Sequence, residues 1–91
     1  MEWRASHILV KNKSLAEELY KRIQTGARFE QLAKEYSTCP SKSKGGDLGW
    51  FGTGQMVRPF EEAVKKMPRN RPSKPISTQF GYHLIKKTGE R

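Results

Sequence analysis

The chain of 91 residues has no long apolar run, only one cysteine and only nine acidic side chains. Its longest aliphatic run is Ile8-Leu9-Val10, whereas a membrane-spanning helix needs about 20 apolar residues, so no membrane span is expected. The single cysteine, Cys39, cannot form an internal disulfide. A zinc site needs several ligands at characteristic spacings, and one cysteine with two distant histidines does not supply them. We therefore expect neither a metal nor another cofactor.

Large apolar residues are also scarce. Leucine, isoleucine, valine and phenylalanine total 17 of 91 residues, just under the level of about 20% below which highly charged chains are often disordered. Hydrophobic periodicity nevertheless predicts a folded chain, and the length suits one domain over residues 1–91, expected to be a monomer. The net charge of +9 leaves open weak binding to nucleic acid or an anionic surface. The loop side chains that would make such contacts are Lys42, Lys44, Arg69 and Arg71.

The first part of the chain predicts a strand followed by two helices. Residues 4–10 alternate between two faces and are rich in β-branched side chains, which favours a strand. Ser14 and Glu17 form a capping box that opens a helix ending at Gly26. A second amphipathic helix is predicted over residues 29–36.

The second part predicts one helix and three strands. The glycine-rich stretch 40–54 is interpreted as a loop with a short strand at 49–51. A third helix begins at Pro59 and ends before Pro68, with Glu61–Lys65 and Glu62–Lys66 pairs on its solvent side. Pro75 confines the next strand to a sheet edge or a strand start, and residues 82–87 alternate as the last strand. The order β-α-α-β-α-β-β predicts an α+β fold with an antiparallel or mixed sheet.

Few residues could carry chemistry, and the residues alone leave their roles open. His7 and His83 lie in predicted strands, where core histidines and a shared polar network with Thr78 are both possible. Cys39 is either a small buried residue or a nucleophile beside an imidazole. The glycines lack the Lys-Ser/Thr of a phosphate-binding loop, so they are interpreted as turn residues.

Five segments, in order and over almost the whole chain, resemble parvulin-type peptidyl-prolyl cis-trans isomerases. They are His7 to Lys11, Ser37 to Ser41, Gly45 to Gly49, Gly54 to Phe60, and Thr78 to Ile85. The resemblance implies a parvulin/FKBP-like four-stranded antiparallel sheet surrounded by helices, with the two histidines adjacent at its centre. It also implies an enzyme that isomerises Xaa-Pro bonds in flexible protein segments, so that proline-containing polypeptides are the expected partners.

The resemblance also implies a role for each site residue. Leu48, Met56 and Phe60 would line a proline pocket with Gln55 at its rim. His7, Thr78 and His83 would form a hydrogen-bonded network beneath it, and Cys39 would face the susceptible bond.

The resemblance further indicates which branch of the family is the better match. Members directed to phosphorylated substrates carry a basic insertion after strand one, whereas this connection is only Lys11-Asn12-Lys13. Together with Phe80, which replaces a small polar residue of that branch, this indicates the small phosphate-independent group that prefers an apolar residue before proline. A cytoplasmic location is expected, or else a domain of a larger envelope or secreted foldase. The competing function is a basic binding or chaperone-like module without turnover.

Overall fold

The computed structural model describes all residues from Met1 to Arg91, arranged around a four-stranded antiparallel sheet. The strands are β1 (Glu2–Val10), β2 (Asp47–Gly52), β3 (Ile76–Thr78) and β4 (Gly81–Glu90), and the helices are α1 (Lys13–Gln24), α2 (Phe29–Tyr36) and α3 (Arg58–Lys66). The strand order is β2-β1-β4-β3, so the short strand after Pro75 lies at an edge as predicted. The predicted α+β class and element order are confirmed. The assignment of residues 1–91 to one domain stays a prediction.

The two faces of the sheet carry separate apolar clusters because side chains alternate along each strand. On one face, Ile8, Val10 and Leu84 pack against α1 and α2. On the other face, the cluster includes Ala5 and Ile85 and packs against α3. His7, which shares the strand parity of Ala5, therefore faces the α3 side of the sheet.

Three strands extend beyond their predicted bounds. β1 begins at Glu2, where the backbone of Glu2 exchanges two hydrogen bonds with Arg91, and β4 continues to Glu90 beside it. β2 spans Asp47–Gly52 because it pairs with β1, a partner that local patterning does not reveal. The predicted loop that precedes β2 also contains a short 3₁₀ helix, Pro40–Lys44.

The start of α1 was predicted wrongly. Asn12, not Ser14, caps the helix: its side-chain Oδ1 accepts the Leu15 N–H at 3.2 Å. Both residue types accept helix N–H groups well, so local sequence alone does not separate them. The end was predicted correctly, since the helix stops at Gln24 and Gly26 follows with a φ of 112°.

Of the two ion pairs predicted for α3, Glu61–Lys65 is present, whereas Glu62–Lys66 and the exposure of Glu61 were predicted wrongly. The helix begins at Arg58, one residue before Pro59, and Glu61 is buried with only 7% of its surface exposed. Lys65 pairs with Glu61 at 3.0 Å and with Glu62 at 3.5 Å, so Glu62 does not use Lys66. Glu61 accepts a further hydrogen bond from the backbone of the preceding turn. None of the helices has the length and apolar content that crossing a bilayer requires.

Candidate active site

The two histidines meet because their strands are neighbours at the centre of the sheet. β1 and β4 pair antiparallel with His7 opposite Ile85 and Leu9 opposite His83. This register places the two rings diagonally on the α3 face, with ring centroids 5.1 Å apart. Both histidines are almost completely buried.

A glycine allows the loop before β2 to pack directly on His7. The His7 N–H donates to the carbonyl of Gly46 at 2.9 Å. Gly46 has a φ of 89°, and a Cβ at this position would lie 2.3 Å from the His7 carbonyl oxygen. Only glycine accommodates both the backbone conformation and the close approach. The conformation of the loop therefore fixes the middle of β1.

A hydrogen-bonded chain links the histidines to the edge strand. His7 Nδ1 and His83 Nδ1 are 2.9 Å apart, and His83 Nε2 lies 2.7 Å from Thr78 Oγ1. The Phe80 N–H donates to the same hydroxyl at 3.1 Å. Two ring nitrogens at this distance share one proton, so one neutral ring donates and the other accepts. His7 Nε2 is buried and has no partner.

Burial favours the neutral form of both rings. Removal from water lowers the pKa of His7 from 6.5 to about 4, and repulsion from His83 contributes to this shift. Burial alone lowers the pKa of His83 to about 4. The rings are therefore uncharged at neutral pH. They can exchange hydrogen bonds without presenting a fixed positive charge to a bound molecule.

Above the histidines lies an open, mainly apolar pocket of about 450 Å³. Phe60 forms part of its floor and meets both imidazoles edge-on, at centroid distances of 5.6 Å to His7 and 5.4 Å to His83. The residues that line the pocket are His7, Leu9, Thr38, Cys39, Pro40, Leu48, Gln55, Met56, Val57, Phe60, Phe80 and His83. No charged side chain belongs to this set, so the pocket suits an uncharged, apolar group.

One side of the pocket is fixed by the buried hydroxyl of Ser37. Its Oγ accepts the Leu9 N–H at 3.1 Å and the Cys39 N–H at 3.3 Å. Thr38 adds a backbone hydrogen bond to the Leu9 carbonyl at 2.8 Å. The segment that carries Cys39 is thus attached to β1. The Cys39 side chain is half-buried and faces the pocket.

Eight of the nine site residues predicted from the sequence line this pocket. The ninth, Thr78, lies beside it and contacts His83. The sequence interpretation missed Leu9, Thr38, Pro40 and Val57, which also line it. Leu9 could have been found, since it lies two residues after His7 on one strand and so shares its face.

Fold and pocket together define a small sheet-and-helix domain with paired buried histidines under an apolar pocket. Residues 2–91 match the family described as the PPIC-type PPIASE domain. The chain belongs to this family and is a peptidyl-prolyl cis-trans isomerase domain. The predicted parvulin-type identity is thereby confirmed.

Individual relatives agree with this assignment. The chain is 57% identical over 89 residues to the foldase protein PrsA of Bacillus subtilis, covering 97% of this chain and 30% of that protein. It is 43% identical to NmPin, the parvulin of Nitrosopumilus maritimus, with a TM-score of 0.85 and coverage of 97% of this chain and 96% of that one.

A third similarity is to a chain from the structures of PEB4, a virulence factor, and Cj1289, a periplasmic protein, described as SurA-like chaperones of Campylobacter jejuni. The identity is 36% and the TM-score 0.89, with coverage of 97% of this chain and 38% of that one. The chain spans about 30% of the length of the curated foldases it matches. These comparisons support neither the predicted cytoplasmic location nor a binding module without turnover.

Proposed function

We propose that the chain isomerises Xaa-Pro bonds without covalent chemistry, with the substrate proline held in the apolar pocket over neutral imidazoles. The observation that carries this proposal is the pocket itself, whose apolar walls stand directly above two buried, uncharged histidines. Leu48, Met56 and Phe60 would contact the proline ring. Gln55 and Phe80 would contact the flanking peptide at the rim.

The energy that this reaction requires is within reach of such a pocket. Rotation about an Xaa-Pro bond faces a barrier of about 18–20 kcal/mol because the planar amide is stabilised by resonance. The twisted transition state has less charge separation between nitrogen and oxygen, so an apolar environment disfavours it less than the planar ground state. An acceleration of about 10⁵ corresponds to about 7 kcal/mol, and no bond needs to be broken.

The hydrogen bonds around the histidines argue against a cysteine nucleophile. Activation of Cys39 requires an imidazole that accepts its proton. Both nitrogens of His83 are engaged, one by His7 and one by Thr78. The remaining ring nitrogen, His7 Nε2, forms no hydrogen bond with Cys39 or with any other group. We assign Cys39 to setting the polarity beside the bond, and His7, His83 and Thr78 to orienting one another and the pocket floor.

The pocket rim favours substrates without phosphate. Only two residues, Lys11 and Asn12, separate β1 from α1, which leaves no room for a basic phosphate-binding insertion. Phe80 lines the pocket while 51% of its surface is exposed, so it offers an apolar contact to an incoming peptide. We therefore propose that an apolar residue before proline is preferred.

We also propose that this domain acts as part of a larger foldase of the cell envelope. The curated relatives are named foldases and are about three times as long as this chain, which supports a domain within a longer protein. A similar structure comes from a study of chaperones that include a periplasmic protein, which supports the envelope as the compartment.

Two methionine variants test the location of the active site. Met56→Ala removes a side chain that lines the pocket, whereas Met67→Ala truncates a similar, partly buried methionine outside it. Exchange NMR or a protease-coupled assay on a set of Xaa-Pro peptides would measure turnover. We expect at least a tenfold loss of kcat/KM for Met56→Ala and little change for Met67→Ala. Equal activity of two folded variants would contradict the proposed pocket.

A further inference from the structure

The turn between β2 and α3 forms the wall of the pocket that carries Gln55 and Met56. Within this turn, the Gly52 N–H donates to Gln55 Oε1 at 2.6 Å, and the Gln55 N–H donates to the Gly52 carbonyl at 3.3 Å. Both hydrogen bonds join Gln55 to Gly52, the last residue of β2. They attach the turn to the strand that precedes it, but they do not attach it to α3.

A buried carboxylate of α3 accepts the hydrogen bond that attaches the turn to this helix. Glu61 Oε1 accepts the Gly54 N–H at 2.7 Å, and Glu61 Oε2 lies 3.0 Å from Lys65 Nζ. The pKa of Glu61 is lowered, first by the Gly54 N–H and then by Lys65. The acceptor is therefore charged at neutral pH, which strengthens a hydrogen bond to backbone N–H. Gly54 itself is exposed, and no atom lies within 4 Å of the position that a Cβ would occupy.

We propose that Glu61 is a positioning residue of the isomerase, which holds the Gln55–Met56 wall in its substrate-binding conformation by accepting the Gly54 N–H. Glu61 does not line the pocket, so it acts through the turn and not on the substrate. Its effect falls on binding, because apparent affinity decreases in proportion to the fraction of molecules with a competent wall. This inference rests on the proposed function for the identity of the ligand.

The neighbouring Glu62 provides a matched control. It is also a glutamate of α3 that contacts Lys65, but its side chain is 45% exposed and its hydrogen bond comes from Lys65, not from the turn. We expect Glu61→Ala to raise KM about fivefold, with a smaller change in kcat. A fivefold rise corresponds to a decrease to about one fifth in the fraction of molecules whose Gln55–Met56 wall can bind substrate. Glu62→Ala should change neither value by more than about twofold, as is usual for an exposed side chain. Glu61→Gln should restore most of the affinity, because its carbonyl oxygen can still accept the Gly54 N–H.

Hydrogen exchange of the Gly54 amide, followed by NMR, reports on the turn without any assay of turnover. We expect faster exchange in Glu61→Ala than in wild type or Glu62→Ala, while amides of β1 and β4 stay protected. Equal KM values for the two alanine variants, or an unchanged Gly54 amide, would overturn the inference. If Glu61→Ala does not fold, Glu61→Gln decides. A wild-type KM together with slow exchange of the Gly54 amide in this variant would support the inference. Fast exchange of that amide with an unchanged KM would overturn it. A wild-type protein without isomerase activity would refute the proposed function, and the Gly54 measurement would still decide whether Glu61 holds the turn.

Discussion

Acidification should destabilise this domain from about pH 6.5 downward because of its two buried histidines. The chain has only two histidines, and both have a pKa lowered from 6.5 to about 4 by the fold. Between these values the unfolded chain binds protons that the folded protein excludes, so stability falls as the pH falls. The histidines therefore contribute their full stabilisation above about pH 6.5, and that contribution is lost progressively down to about pH 4.

The size of the effect follows from the two shifts. Each pKa unit corresponds to about 1.4 kcal/mol, so two rings give a slope of up to about 2.7 kcal/mol per pH unit in this window. Integrated to pH 4, the loss approaches about 3 kcal/mol per ring as an upper bound. Small domains have a free energy of unfolding of about 5–15 kcal/mol, so a loss of up to about 6 kcal/mol from the two rings is a large part of the stability. Asp47, whose pKa is lowered from 3.8 chiefly by Arg4, adds to the loss at the lower end of this range and below it.

Urea denaturation followed by tryptophan fluorescence between pH 7 and pH 4.5 would measure this slope. A variant without the rings, His7→Leu with His83→Leu, is expected to show a nearly flat profile over the same range. Imidazole resonances of the wild type provide a second measurement that does not depend on the variant folding. Folded-state titration of both rings near 6.5, or equal slopes in the two proteins, would refute the reasoning.

Three further predictions concern the site and its support. Cys39→Ser should keep at least about a tenth of wild-type kcat/KM, since no covalent step is required; complete inactivity of this variant, together with a covalent substrate adduct on Cys39 of the wild type, would contradict this. Peptides with phosphoserine before proline should turn over no faster than unmodified peptides, as measured by exchange NMR, and a large gain would exclude the phosphate-independent assignment. Gly46→Ala should lower the free energy of unfolding by about 2–4 kcal/mol in denaturant titrations, because its φ and the nearby His7 carbonyl exclude a Cβ. Gly49→Ala is the control, since it has a φ of 74° but no atom near its Cβ.

Much of the fold could be predicted because it depends on local patterning. The period-2 alternation of residues 4–10 and the helical spacing of residues 29–36 each identify an element without knowledge of its neighbours. The strand ends could not be predicted in this way. The pairing of Glu2 with Arg91 joins residues at opposite ends of the chain, and only the folded sheet brings them together.

In the candidate site, too, local sequence patterns predict some features, and others depend on tertiary contacts. Alternation places His7 on one face of its strand, but the register that sets Leu9 opposite His83 is a tertiary property. The family resemblance implied only that the two histidines are adjacent, and neither it nor the residue spacing gave the register. Glu61 was assigned to the solvent side because helical spacing pairs it with Lys65, and that pair exists. Its side chain also accepts the N–H of Gly54, and because Gly54 lies in the preceding turn, the helical spacing of α3 gives no sign of this contact.

The proposed mechanism gives the neutrality of the two histidines and the acceleration of isomerisation the same physical origin. The rings of His7 and His83 stay neutral because the pocket floor is removed from water. In the proposed mechanism, the same dry environment disfavours the charge-separated planar amide of a bound Xaa-Pro bond. A substitution that admits water to this floor, such as Phe60→Ala, should therefore raise the pKa of both histidines and slow isomerisation together. Variants in which one property changes without the other would show that desolvation does not link them.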